Sequence, residues 1–179
     1  MIRPKIPTSL RSDTLFSAPR HEYPSGMSEG RIEAIHIVVS KGAPPTAVQA
    51  VQAVTGQGLE ADRYATGNGV KPGKAGGKRA ATLIEAEAIE ALGCDYDVRI
   101  GPGESRRNIT TRGVALNHLV GRTFQIGEAV LRGVELCEPC NYLESLTQPG
   151  LRSGLVHRGG LRAEILESGM IRVGDVIHA

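Results

Sequence analysis

The sequence predicts a mainly β fold, a barrel or sandwich carrying a few short helices. Three observations point there. Short apolar, β-branched runs recur from Arg31 to the C-terminus. Turn formers separate them, with 23 glycines and 10 prolines among 179 residues. A single segment, beginning at Glu85, shows a full helical signature.

Residues 1–29 hold Pro4, Pro7, Pro19 and Pro24 without an apolar period, and they predict a flexible N-terminal extension. Met27 at its end is a second candidate start of translation. Residues 30–179 then read as one domain without internal repeats. Residues 32–39 read as a buried strand, broken by Gly42 and Pro44-Pro45; the apolar spacing of 47–54 fits a strand or a helix, and it is read as a strand. The stretch 67–78, with Gly67, Gly69, Gly73, Gly76 and Gly77, reads as a long mobile loop. Its Lys71, Lys74 and Lys78 are more simply solvated than bound to an anion.

Residues 81–84 are a short strand leading into a helix over 85–92. Glu85 and Glu87 favour that helix start, and Gly93 predicts its stop. Residues 116–120 predict one helical turn ended by Gly121. Thr123–Ile126 and Ala129–Leu136 pair across Gly127-Glu128, and 161–166 pairs with 170–173 across Ser168-Gly169. Residues 175–178 are a last strand.

Composition excludes several functions. Net charge is only +2, and two Phe, four Tyr and no Trp make a poor base-stacking platform, so no nucleic-acid partner is expected. No apolar run approaches the roughly 18 residues of a membrane span. Three cysteines do not make a disulfide framework, which points to a reducing, cytoplasmic compartment.

The sharpest chemical feature is Cys137-Glu138-Pro139-Cys140, after a predicted strand and before a predicted helix over 141–146. A structural zinc site would need two more closely spaced ligands, and His21, His36, His118, His157 and His178 are scattered. A thioredoxin-type dithiol would need a βαβ setting, and the surroundings predict antiparallel β. Two buried, inert thiols are the simplest alternative, favoured for Cys94 beside the helix stop. For Cys140 a reactive role is stronger, because Pro139 fixes the preceding backbone and cationic neighbours favour a thiolate. Such cations are at hand in segment 101–111, where Arg106 and Arg107 precede Asn108 among Gly, Ser and Thr. Guanidinium forks match phosphate and carboxylate, so thiol and loop together suggest a pocket for a phosphorylated ligand.

Seven elements, in order, resemble the MOSC family, the molybdenum-cofactor sulfurase C-terminal domain, in its stand-alone bacterial form. They are Gly58-Leu-Glu-Ala-Asp-Arg-Tyr64, the strand-to-helix element 79–85, the Pro-Gly…Arg-x-Asn-Ile-Thr element 101–111, Leu119-Val-Gly-Arg-Thr-Phe-Gln-Ile-Gly127, Cys137-Glu-Pro-Cys140, Arg158-Gly-Gly-Leu161 and Ile171-Arg-Val-Gly-Asp175. Ala61 departs from the family's Gly and Tyr64 from its frequent His, which puts the first loop's geometry in question.

The resemblance implies a MOSC-type β-barrel that binds molybdenum–molybdopterin or transfers sulfur to metal centres. It places the family's key cysteine on Cys140, as molybdenum ligand or persulfide carrier. It carries cofactor-binding roles to Arg106, Asn108, Thr110, Asp62, Arg63 and Arg158. It implies no pyridoxal phosphate in this chain, and a separate cysteine desulfurase or electron-transfer protein as partner. Three functions follow as expectations: molybdenum-dependent reduction of N-hydroxylated compounds, delivery of Cys140 persulfide sulfur, or a non-catalytic barrel binding a phosphorylated ligand or a protein. The first two require the Cys140 sulfur to be reachable from solvent and to face the loop around Arg106.

Overall fold

A computed structural model describes residues 30–67 and 77–179. The predicted extension 1–29 and residues 68–76 of the glycine-rich loop, with Lys71 and Lys74, lie outside the described residues. Alternating apolar residues fold into eleven strands: β1 (Gly30–Ile37), β2 (Thr46–Val48), β3 (Ala50–Val54), β4 (Gly58–Leu59), β5 (Ala81–Glu85), β6 (Ile109–Arg112), β7 (Thr123–Ile126), β8 (Ala129–Leu136), β9 (Leu161–Glu167), β10 (Gly169–Arg172) and β11 (Val176–His178). Among the described residues three α-helices accompany them: α1 (Ala86–Tyr96), α2 (Asn141–Ser145) and α3 (Leu151–Gly154).

Seven strands close on themselves in the order β11-β7-β8-β9-β5-β6-β1, with β1 returning to β11. Closure removes the unpaired edges that an open sheet would leave. The strand β2 extends β1 outward, and β10-β3-β4 form a small second sheet. All barrel pairings are antiparallel except β5 with β6. Inward residues such as Ile32, Leu83, Ile109, Phe124, Leu131 and Leu161 fill the barrel. Outside it, Ile84, Leu92, Leu143, Leu151 and Leu155 pack beneath the three helices.

The hairpin β7–β8 forms as predicted, with Ile126 opposite Ala129. The second predicted hairpin does not. Strand β10 pairs with β3, Gly169 facing Ala53 and Arg172 facing Ala50, while β9 pairs with β5 and β8. Ser168 alone separates β9 from β10, too short for a two-residue hairpin loop, and its Oγ accepts the Thr55 N–H at 2.9 Å. The chain therefore turns a corner there and changes sheets. The predicted strand 47–54 is likewise two strands, split at Gln49, whose carbonyl accepts the Val173 N–H.

Helix α1 runs past Gly93 to Tyr96 and stops at Asp97, a left-handed residue whose N–H caps Leu92 O. Leu92, fully buried against the second cluster, outweighs the roughly 1 kcal/mol cost of an interior glycine. Cys94 consequently sits on an exposed helix face instead of in the core. No helix among the described residues is long and apolar enough to cross a membrane.

Candidate functional site

A polar lattice organises one flank of the barrel. In β5, Ile84 packs beneath the helices, so Thr82, two residues away, shares that outward side. Asn108, just before β6, engages it fully. Its Oδ1 accepts the Thr82 N–H at 3.1 Å and the Thr82 hydroxyl at 2.8 Å. Its Nδ2 donates to His36 O at 3.2 Å and to Asp62 Oδ2 at 3.1 Å. Asp62, only 3% exposed, also accepts the Val38 N–H and the Tyr64 N–H, both at 3.0 Å. Asp62 and Asn108 thus tie the end of β1, β5 and the 62–64 turn together. Their polar atoms are spent inside the protein.

That turn requires Ala61 to adopt φ +61°, the left-handed region where a Cβ costs roughly 1–2 kcal/mol. The glycine-like backbone is therefore kept in spite of the alanine. Ala61→Gly should raise stability by up to about 1 kcal/mol, part of the gain being cancelled by unfolded-chain entropy. Chemical denaturation with an unchanged m-value checks this.

The lattice presents arginines to a cavity of about 360 Å³. Arg63 lies over the Tyr64 ring at 4.8 Å. Arg106 holds a left-handed backbone at φ +56° and donates to Ala43 O at 2.9 Å. Burial, and then the charge of Arg63, press the Arg106 guanidinium below its ordinary pKa, with Tyr142 acting the other way. Two cations therefore face one space. Arg79 also lines it. Arg107, 8% exposed, forms the wall behind, donating to Gly159 O and Cys137 O, each at 2.8 Å. Among the described residues no carboxylate forms an ion pair with Arg63, Arg79, Arg106 or Arg107.

Cys140 is exposed and lines the same cavity. Pro139 precedes it, and it occupies the extended residue before α2, its side chain making no capping hydrogen bond. Cys137 lines the cavity from a buried position. Beside it, Arg162 is desolvated, yet the Cys137 thiol and the Glu135 carboxylate hold its pKa above the ordinary value.

The structure therefore brings Asp62, Arg63, Arg106, Asn108 and Cys140 together. Thr110 and Arg158 do not line this cavity. Thr110 pairs with Ile84, on the side covered by α1, and its buried hydroxyl has no partner among the described residues. Arg158 is drawn to the α1–α3 side, where it bonds Gly154 O and Asp95 and lies over Tyr96. Sequence reading missed Arg79, Arg162 and Tyr142 as lining residues. Arg79 opens the 79–85 element, which was the available signal; nothing local marks Arg162 or Tyr142.

A family model, the MOSC domain, matches residues 64–178. The chain belongs to the MOSC domain family. The match begins at Tyr64, so Asp62 and Arg63 lie just ahead of it. Solved structures agree on the fold. The YuaD protein of Bacillus subtilis superposes with a TM-score of 0.67 at 18% identity, over 84% of this chain and 94% of that one. YiiM from Geobacillus stearothermophilus gives 0.64 at 18% identity, over 83% and 74% of the two chains. YiiM from Escherichia coli gives 0.59 at 16%, over 83% and 68%. No curated protein matches the sequence.

As a MOSC domain, the chain offers a metal little by itself. Among the described residues no cluster of three or more His, Cys, Asp or Glu could hold an ion. The arginines and the exposed thiol instead form a donor set suited to an anionic ligand.

Proposed function

We propose that this MOSC protein binds a molybdenum–molybdopterin cofactor in the arginine-lined cavity, with the Cys140 sulfur as the protein's ligand to the metal. The observation that carries this reading is the pairing of Arg63, Arg79 and Arg106, which have no carboxylate ion pair among the described residues, with one exposed thiol in a single cavity. Guanidiniums bind phosphate in two-point contacts, and thiolate is a soft donor suited to such a metal.

Arg63 and Arg106 would hold the phosphate, their mutual repulsion relieved by its charge. Asp62 and Asn108 orient the loops that bear them. Arg107 fixes the Cys137 carbonyl and so the approach to Cys140. Bound there, the cofactor would supply a redox-active metal, and the associated reaction is reduction of N-hydroxylated compounds. Electrons would come from a separate electron-transfer protein.

The test is metal and pterin analysis of the full chain purified from a cofactor-competent host. Wild type should carry both. The double variant Arg63→Ala, Arg106→Ala should retain at least about tenfold less of both, since two charge-assisted contacts are lost. Absence of molybdenum and pterin from wild type would reject the reading.

A second reading draws on the exposure of Cys140, which leaves its sulfur open to a partner protein. Here Cys140 accepts persulfide sulfur from a separate cysteine desulfurase, whose pyridoxal phosphate would belong to that partner. Mass spectrometry after such an incubation would show about 32 Da added at Cys140, one sulfur atom. A third function, a non-catalytic barrel binding a phosphorylated ligand, predicts unchanged ligand affinity in Cys140→Ser.

A further inference from the structure

The Cys137 thiol, first of the two in the Cys137-Glu-Pro-Cys140 element, has no part in the function proposed above, yet Cys137 lines the same cavity as Cys140. The two thiols differ in access. Cys140 is exposed, whereas Cys137 is 4% exposed; both are free. Cys137 is also anchored. Its N–H donates to Gly160 O at 2.7 Å, and its carbonyl accepts from Arg107 at 2.8 Å. Its side chain contacts the Arg162 guanidinium. Between the two, Glu138 is held by His157, whose N–H donates to Oε2 at 3.0 Å and whose Nδ1 lies 3.2 Å from Oε1. The loop is thus fixed with both cysteines facing one space. Cys94, on α1, does not line it.

We infer that Cys137 is a resolving thiol for Cys140, and that a hydroperoxide converts the pair into an intramolecular Cys137–Cys140 disulfide. The exposed Cys140 meets the oxidant first. Its thiolate takes one oxygen, becoming a sulfenic acid, while the hydroperoxide is reduced to water or an alcohol. The Cys137 sulfur then attacks the Cys140 sulfur. An S–S bond forms, the S–O bond breaks, and hydroxide leaves with the Cys137 proton as water. The Arg162 guanidinium contacts the attacking sulfur and holds its side chain in place. Burial keeps Cys137 away from competing thiols in solution, so its available target is its neighbour. A dithiol reductant would restore both thiols by exchange. The disulfide withdraws the one sulfur the cavity offers outward, so loading of the site becomes redox-sensitive. The inference needs only the two sulfurs and stands whether or not the site takes molybdenum.

The test treats the full chain, free of metal, with two equivalents of hydrogen peroxide, enough either to close the disulfide or to carry one thiol to sulfinic acid. Remaining thiols are alkylated in denaturant, and the peptide carrying both cysteines is weighed. The expected result is loss of both thiols together, a mass about 2 Da below the dithiol peptide, and recovery by dithiothreitol. In Cys137→Ser, Cys140 should instead proceed to irreversible sulfinic acid. Cys140 reaching sulfinic acid in wild type while Cys137 stays alkylatable would overturn the inference. So would a disulfide to Cys94 or between molecules. The wild-type outcome decides alone if the variant fails to fold.

Discussion

Gly160→Ala is expected to destabilise the domain by more than about 4 kcal/mol, a large share of the roughly 5–15 kcal/mol that holds a domain together. Gly160 has φ +103°, and a Cβ there would lie 1.9 Å from Leu83 O, a backbone atom of the barrel. Leu83 is opposite Leu161 in the β5–β9 ladder, so relief would require opening that pairing. Gly160 O also accepts the Cys137 N–H, so the damage would reach the cavity. Gly174 is the control. It has φ +92°, and a Cβ there would meet nothing within 4 Å. Gly174→Ala should therefore cost only the conformational part, roughly 1–2 kcal/mol. Urea midpoints of the two variants separate contact from conformation.

Arg107→Met should cost about 2–4 kcal/mol and disturb the cysteine loop as well. Removing the guanidinium leaves the buried Gly159 and Cys137 carbonyls without a donor, at roughly 1–3 kcal/mol each. Against that, Met avoids burying a charge that no carboxylate among the described residues balances, which offsets part of the loss. The loss of the two bonds should win because Cys137 and Gly159 are both buried residues. Arg107→Lys should rescue little, since an ammonium cannot reproduce the fork. Denaturation midpoints and the alkylation rate of Cys140 read both effects.

Much of this architecture was legible because it is local. Phe124 and Ile126 alternate with exposed Thr123 and Gln125, and Gly127-Glu128 supplies the turn, so β7–β8 follows from period and turn chemistry alone. The corner at Ser168 was not legible, because the choice between β9 and β3 as partner for β10 rests on contacts more than 100 residues apart, such as Thr55 with Ser168. Strand β6 was hidden within an arginine-rich segment. Ile109 and Thr111 turn inward there while the charges precede them, and its parallel partner β5 leaves no hairpin signal.

The same limit applies to the cavity. The motifs marked Cys140, Arg106 and Asp62, and closure of the barrel brings them into one cavity. They could not separate residues that face the cavity from those that build it. Asn108 sits at the cavity with its amide consumed by Thr82, His36 and Asp62. Thr110, two residues on, lies on the side covered by α1, and Arg158 is captured by Asp95. Arg162 comes from β9, remote in sequence from the cysteine it touches.

X-ray absorption at the molybdenum edge, on the cofactor-loaded full chain and on Cys140→Ala, addresses the role of Cys140 most directly. With Cys140 as ligand, wild type shows one more sulfur neighbour to the metal than the variant. An identical sulfur shell in the two proteins would contradict it.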